Sequence, residues 1–343
     1  MLTVVCQSPG VLRAEDRPDP VPRPGEVLVR VKRVGVCGTD LHIFSGDQPY
    51  LEYPRVMGHE LSGVVADAPA DSLLMAGDPV FVMPYISCGQ CVACRCGKTN
   101  CCVNIQVLGV HRDGAFSELL AVPQGFVHKA EGVSLDQAAM VEFLAIGAHA
   151  VRRGEVARGQ RVLVVGTGPI GMAALIFSRL RGAHVTALDT RAERIAFCVE
   201  SLGAEAGVAV GADDEAQLAE LTAGEFYDVV FDATGNRQAM ERGFRFVAHG
   251  GKYVLVSIVR DSISFADPDQ HMQLSQDIHI VETKSPTGQD IADRLLRDLH
   301  QHPVDHCSKY CVGLALLQAD LKHNRFNPVL RRLVADAHAW SEH

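Results

Sequence analysis

The chain contains no uninterrupted apolar run near the ~18–20 residues that a membrane span requires. Its start, Met1-Leu2-Thr3-Val4-Val5, has no basic region leading into a long apolar core. We therefore expect neither a membrane span nor a signal peptide. An excess of basic charge is also missing: 32 Lys and Arg stand against 41 Asp and Glu, a net charge of −9. That balance argues against non-specific contact with nucleic acid or an anionic membrane, and it selects no particular small molecule. The 11 cysteines are an odd number, and no signal peptide is expected ahead of them. They point to a cytoplasmic chain with reduced thiols, in which clustered Cys bind metal instead of pairing as disulfides.

At 343 residues the expectation is two domains, because single cores stop growing near ~250–300 residues. The 47% apolar and 21% charged content is that of an ordinary globular protein.

The stretch Cys37-Gly38-Thr39-Asp40-Leu41-His42, followed at some distance by Gly58-His59-Glu60, brings together a thiolate, an imidazole and a carboxylate. Cys and His suit a borderline-soft ion, above all zinc. Gly38 and Gly58 would let the backbone crowd close to a metal where a Cβ would obstruct. A third anionic ligand could come from Glu60 or from Glu142, which lies in the apolar run Met140-Val141-Glu142-Phe143-Leu144. A buried carboxylate there is expensive unless it is paired or binds a metal. Three protein ligands and an open position describe a catalytic zinc site. Taken alone, a Cys is an inert core residue and a Gly-His-Glu tripeptide is coincidence, so the weight falls on two motifs downstream.

The first is Cys88-x2-Cys91-x2-Cys94 with Cys102 eight residues on, a spacing that lets four thiolates face one ion tetrahedrally. Cys88, Cys91, Cys94 and Cys102 form the expected ligand set, although Cys96 or Cys101 could replace a neighbour. An iron–sulfur cluster or free loop thiols are the competing readings; no open position or redox partner favours either over structural zinc. The second begins at the buried strand Arg161–Val165, which runs straight into Gly166-Thr167-Gly168-Pro169-Ile170-Gly171 and a helix over Met172–Arg181. A second strand, His184–Leu188, ends at Asp189. This is a dinucleotide turn in its required setting. Gly166 makes the tight turn, Gly168 admits the pyrophosphate and Gly171 allows helix–strand contact, with the helix N-terminus facing the phosphates. Asp189 would accept from the adenosine ribose hydroxyls and repel a 2′-phosphate, which selects NAD over NADP.

Around these motifs, Pro18, Pro20, Pro22 and Pro24 break any early helix, and Glu26–Val34 reads as a strand delivering Cys37. Short strands are expected near Leu61–Ala66 and Pro79–Met83, and a turn into a strand at Gly114–Glu118. A helix is expected over Asp136–Ala150. After Asp189 we expect helices at Arg191–Leu202 and Arg237–Ala248 and a strand at Tyr227–Ala233. Gly250-Gly251 should turn into a strand over Lys252–Ser257, and Asp213–Glu220 should be a solvated acidic face. Beyond Ile258, a strand at Ile278–Val281 and a helix at Gln289–His302 are expected, with His271, His279, His300, His302 and His306 as surface residues.

Zinc chemistry beside NAD implies hydride transfer from an alcohol carbon, with Thr39 and His42 placed to relay the proton to solvent. Cys37-Gly-x-Asp40-x-His42, Gly58-His59-Glu60, the cysteines at 88–102 and Gly166-x-Gly-x-x-Gly171 together resemble the zinc-dependent medium-chain alcohol/polyol dehydrogenase family. The resemblance implies an α/β architecture. A GroES-like catalytic domain would be formed from residues 1–147 and 287–343, with the four-thiolate lobe at about 86–104, and a Rossmann domain over 148–286 would be inserted in it. It also implies that Cys37 and His59 are zinc ligands, with Glu60 and Glu142 sharing the remaining place. Pro169, Ile170 and Arg194 are expected at the cofactor beside the glycines and Asp189. Cys101-Cys102, Gly109–Gly114 and Gly147–Val151 are most similar to the sugar-acid and polyol branch, of L-galactonate and L-idonate dehydrogenase type. Sorbitol and threonine dehydrogenases are the nearest rivals. A homodimer or homotetramer is expected. A catalytically silent relative of quinone-reductase type, or a redox-sensing zinc protein, is the alternative from another class; the intact ligand set argues against the former. Two features depart from the family pattern: Phe143 stands where proline is usual, and the stretch 269–288 matches poorly.

Overall fold

Residues 1–257, 259, 262–264, 278–279 and 317–318 are described in the computed structural model. Along Glu26–Gly35, Val27, Val29, Val31 and Val34 are buried while intervening residues are half-buried or exposed. This near-alternation builds a sheet covered on one face. The sheet runs in the order Val127–Lys129, Pro79–Val82, Glu60–Asp67, Glu26–Gly35 and Leu317–Gln318, all antiparallel, and Leu119–Pro123 also pairs with Glu26–Gly35. Leu2–Ser8 pairs with Val11–Asp16 and Arg55–Val56, and Tyr85–Ile86 pairs with Gln106–Val107. The expected strands at 61–66 and 79–83 are present as Glu60–Asp67 and Pro79–Val82. The strand expected to start at the 114–118 turn begins later, at Leu119.

The chain divides into two compact units, one of Met1–Glu142 with Pro286–His343 and one of Phe143–Ser285. The second holds a six-stranded parallel sheet. Its order is Ala206–Ala209, His184–Asp189, Arg161–Val165, Tyr227–Asp232, Val247–Leu255 and Ile278–His279. Strand order reverses between Arg161–Val165 and Tyr227–Asp232, the position at which such doubly wound sheets bind nucleotides. Among the described residues no helix is long and apolar enough to cross a membrane.

Several local expectations need correction. The helix expected over 136–150 is two helices, Leu135–Ala139 and Val141–Arg153, separated at Met140. The helix expected over 237–248 ends at Gly243 and gives way to a short 3-10 turn, because Val247 already begins a strand. Gly250-Gly251 therefore lies inside that strand, beside a register shift between Tyr227 and Val229 of its neighbour, instead of leading into it. The acidic stretch at 213–220 is a helix, Asp214–Leu221, and it is not purely solvated. Asp214 is fully buried and accepts from Arg242 Nη1 at 2.7 Å and from the Gly211 N–H at 3.1 Å. The helix expected over 289–302, most of the 269–288 segment, and His271, His300, His302 and His306 lie outside the described residues, as do the surroundings of the His279 side chain.

Candidate metal and cofactor sites

Antiparallel pairing of Glu26–Gly35 with Glu60–Asp67 sets Gly35 opposite Glu60, so Cys37 and His59-Glu60 emerge at the same end of one sheet. Sγ of Cys37, a ring nitrogen of His59 and a carboxylate oxygen of Glu60 lie within 4.8 Å of one another. A Cβ on Gly35 would fall 2.2 Å from Glu60 Oε2, so the absence of a side chain there makes room for that carboxylate. Gly58 takes φ 92° and its Cβ would meet Phe116 at 2.7 Å; this position needs glycine for both reasons. Gly38 differs, since a Cβ there would meet nothing within 4 Å beyond its chain neighbours and the backbone of its own helix.

Cys37 precedes the helix Gly38–Ser45, which periodicity alone does not reveal. Asp40, in its first turn, is buried and clamps both ligand segments. Its Oδ2 accepts from the Cys37 N–H at 2.9 Å and its Oδ1 from the Gly58 N–H at 3.1 Å. No role for Asp40 follows from the sequence; the available signal is an acid three residues after a helix-start position. Thr39 presents its N–H and hydroxyl to the Cys37 sulfur, and His42 is exposed in the last turn. Glu142, half-buried, stands outside the cluster, and its Oε1 accepts from the Tyr85 hydroxyl. Phe143, beside it, is buried.

The electrostatics of this group call for a cation. Burial pushes the Cys37 thiol up to about 12, with the negative charges of Asp40 and Glu142 adding to it. Glu60 is held well above the carboxylate range by burial, then by Cys37 and Glu142. Burial likewise raises Asp40 and Glu142, against the opposing pull of His59. For His59, burial works downward, but Asp40, Glu142 and Glu60 outweigh it and raise it. Buried His59 Nδ1 and Glu60 Oε2 have no hydrogen-bond partner. A divalent ion among these donors would favour the ionised thiolate and carboxylate and engage atoms otherwise left unsatisfied. The mixed S, N and O donor set fits zinc.

The second group is Cys88, Cys91, Cys94 and Cys102, whose sulfurs also lie within 4.8 Å of one another. Sγ of Cys94 is 3.4 Å from that of Cys91 and 4.0 Å from that of Cys88. The N–H groups of Cys94 and Val103 hold the Cys91 thiol down to about 6. Desolvation and the neighbouring thiols push Cys94 up to about 12. Such crowding of four sulfurs fits one tetrahedral ion. Cys96 and Cys101 are exposed and outside this set.

In the second unit, Gly166 takes φ 82° and a Cβ on it would meet Thr234 Cγ2 at 2.8 Å. A Cβ on Gly171 would stand 1.9 Å from the Gly166 carbonyl oxygen, so the helix Pro169–Leu180 starts hard against the turn. Gly168, just before that helix, is open, and the first-turn N–H groups of Ile170 and Gly171 are donors of the kind that hold phosphate. Asp189 is buried: its Oδ2 accepts from the Thr167 N–H and hydroxyl at 2.6 and 2.8 Å, and its Oδ1 from the Arg191 N–H at 2.9 Å. Arg194 approaches the same carboxylate at 3.7 Å. A carboxylate offers about four acceptor sites, so Asp189 braces the turn from within, a role the sequence pattern does not disclose.

Two family models match the chain: Alcohol dehydrogenase GroES-like domain over residues 23–132 and Zinc-binding dehydrogenase over residues 169–297. The chain is 39% identical over 293 residues to L-galactonate-5-dehydrogenase of Escherichia coli (strain K12), covering 85% of each. It is 34% identical over 241 residues to 2-dehydro-3-deoxy-L-galactonate 5-dehydrogenase of Pseudoalteromonas atlantica, covering 69% of this chain and 70% of that one. Among solved structures, an alcohol dehydrogenase of Escherichia coli CFT073 complexed with NADH superposes with a TM-score of 0.80 at 29% identity, covering 87% of this chain and 88% of that one.

Proposed function

Since the chain belongs to the zinc-dependent medium-chain alcohol dehydrogenase family, we propose that it oxidises a secondary alcohol of a sugar acid or polyol, of L-galactonate or L-idonate type, with transfer of hydride to NAD. The observation that carries this reading is the Cys37–His59–Glu60 donor cluster, in a chain that also carries the Gly166–Gly171 turn. Likeness to two dehydrogenases whose names specify galactonate compounds supports the sugar-acid branch.

Zinc held by Cys37, His59 and Glu60 would supply Lewis acidity that lowers the pKa of a substrate hydroxyl, while NAD would accept hydride. The remaining work falls to the chain. Asp40 fixes the backbone at Cys37 and Gly58, which sets the spacing between the ligand segments. Thr39, beside the Cys37 sulfur, would pass the substrate proton toward His42, the exposed end of the same helix. Cys88, Cys91, Cys94 and Cys102 would hold a second, structural zinc. Gly168 and the helix start at Pro169 and Ile170 would take the pyrophosphate of NAD, with Asp189 and Arg194 at its adenosine end. A cytoplasmic homodimer or homotetramer completes the proposal, and light scattering on purified protein tests the assembly.

The deciding experiment combines zinc content of chelator-free protein with NAD reduction across aldonates, polyols and L-threonine. About two zinc ions per chain and turnover of a sugar acid support the proposal. Turnover of L-threonine alone would replace the substrate class, and no turnover of any panel member would overturn the enzyme reading.

A further inference from the structure

Glu60 and Glu142 both adjoin the Cys37–His59 pair, yet the structure treats them differently. Glu60 shares the 4.8 Å cluster, and Glu142 does not. What distinguishes Glu142 is a partner: the Tyr85 hydroxyl donates to its Oε1. Glu142 remains near enough for its charge to act on Cys37, His59 and Glu60. It is therefore held beside the donor set without joining it.

The support for Tyr85 comes from an unexpected direction. Tyr85 lies on the two-residue strand Tyr85–Ile86, paired with Gln106–Val107 through Tyr85↔Val107 and Ile86↔Gln106. The Leu108 N–H donates to the Pro84 carbonyl at 3.1 Å just outside this pairing. Everything between the two strands is the lobe that carries Cys88, Cys91, Cys94 and Cys102. A ladder of two residues has little stability of its own. Its closure is reinforced from the lobe side, where the Cys88 N–H donates to Cys102 Sγ at 3.3 Å.

Resting on the metal reading above, we infer that Tyr85 is a positioning residue: its hydroxyl keeps Glu142 out of the inner ligand set at Cys37, His59 and Glu60, and the four-cysteine lobe keeps Tyr85 in place. The consequence is chemical. Three protein ligands leave an open position for substrate, and a fourth would close it. Without the Tyr85 hydroxyl, the Glu142 Oε1 loses its donor, and a divalent ion is the strongest competitor for a carboxylate set free beside it. The lobe thereby acts on the reaction from a distance, through one phenol.

Cobalt substitution tests this, because the visible absorption of Co(II) reports ligand number and type independently of turnover. Wild type, Tyr85→Phe, Glu142→Gln and the double variant are loaded with Co(II) and compared by spectrum, chelator competition and kcat/KM. We expect Tyr85→Phe to shift the spectrum toward higher coordination, hold metal about 10-fold more tightly and lose about 10-fold or more in kcat/KM. Glu142→Gln should keep the wild-type spectrum, and the double variant should return to it. Retention of the lobe's zinc in Tyr85→Phe separates this effect from unfolding. Wild-type protein that binds metal in the lobe alone overturns the catalytic-metal reading and this inference with it. Two bound metals with a wild-type spectrum in Tyr85→Phe, or an altered spectrum in Glu142→Gln, overturns the role of Tyr85 alone.

Discussion

Gly35→Ala is a substitution whose effect should pass almost wholly through one neighbouring side chain. The new Cβ would stand 2.2 Å from Glu60 Oε2, 3.0 Å from Glu60 Cβ and 3.3 Å from Glu60 Cδ. Every one of those atoms belongs to Glu60. The nearest is the free end of a flexible side chain, so the carboxylate can rotate away and the strand pairing can survive. Overpacking of this yielding kind costs about 1 kcal/mol, a Tm decrease of roughly 2–4 °C for a domain of this size.

The metal site bears the larger loss. With Glu60 turned aside, two of the three donors remain at Cys37 and His59. Disturbing even the groups that orient a ligand weakens metal binding about 10–100-fold, roughly 1.4–2.8 kcal/mol, and displacing the ligand itself should reach at least that range. The assay is zinc content after dialysis against a chelator series, with unfolding followed in parallel. Zinc at Cys88, Cys91, Cys94 and Cys102 serves as the internal control and should stay. Glu60→Ala should lose the same zinc, and adding Gly35→Ala to it should cost no further affinity, because the two substitutions act through one group. If Gly35→Ala retained both ions at wild-type affinity with Tm unchanged, Glu60 could not be the ligand that the Gly35 gap accommodates.

Three other perturbations probe the second unit. In Gly171→Ala the Cβ meets the backbone oxygen of Gly166 at 1.9 Å, so the helix start must move; NAD affinity by fluorescence titration should fall at least tenfold, about 1.4 kcal/mol, with zinc content unchanged. Arg242→Met leaves the fully buried Asp214 carboxylate without its cation, and urea unfolding should show a loss of ~3 kcal/mol, with Asp214→Asn in the same background recovering part of it. His149 is buried, accepts from Arg152 Nη2 at 3.2 Å, and is pulled down to about 4 by burial and then by Arg152 and Arg153. Above about pH 6.5 both folded and unfolded forms of this His are neutral. As pH falls from there toward 4 the unfolded form alone gains the proton, so stability is lost. His149→Gln should flatten that part of a Tm–pH curve between pH 7 and 4.5, and an unchanged slope would refute the assignment.

How much of this the sequence discloses depends on the distance over which each feature is determined. The four-cysteine lobe and the glycine turn are written locally, in spacings of a few residues, and both are legible in the order of residues alone. The different placing of Glu60 and Glu142 is not, because the Tyr85 hydroxyl that engages Glu142 lies 57 residues away along the chain. The burial of Asp214 within an acidic stretch depends on Arg242, 28 residues away. Short elements also escape. Gly38–Ser45 is too brief to display a helical period, and Ala206–Ala209 has only Val208 buried among small residues. The break at Met140 lies inside a stretch whose composition is helical throughout, so propensity passes over it.

The register between Glu26–Gly35 and Glu60–Asp67 carries the site further than any single motif does. Val29, Arg30 and Val31 oppose Val65, Val64 and Gly63, whereas Arg33, Val34 and Gly35 oppose Ser62, Leu61 and Glu60. Lys32 is the extra residue, a bulge that advances the pairing by one position. Were the earlier register to continue, Gly35 would face His59, and the bulkier Val34 would stand opposite Glu60. A one-residue slip also reverses which face of a strand each side chain meets. Gly63 belongs to the same device: its Cβ would lie 2.2 Å from the Arg30 carbonyl oxygen, so the strands approach beside the bulge as closely as only glycine permits. Lys32 and Gly63 carry no chemistry of their own, yet the bulge they form sets Gly35 against Glu60 and turns two separate motifs into one donor set.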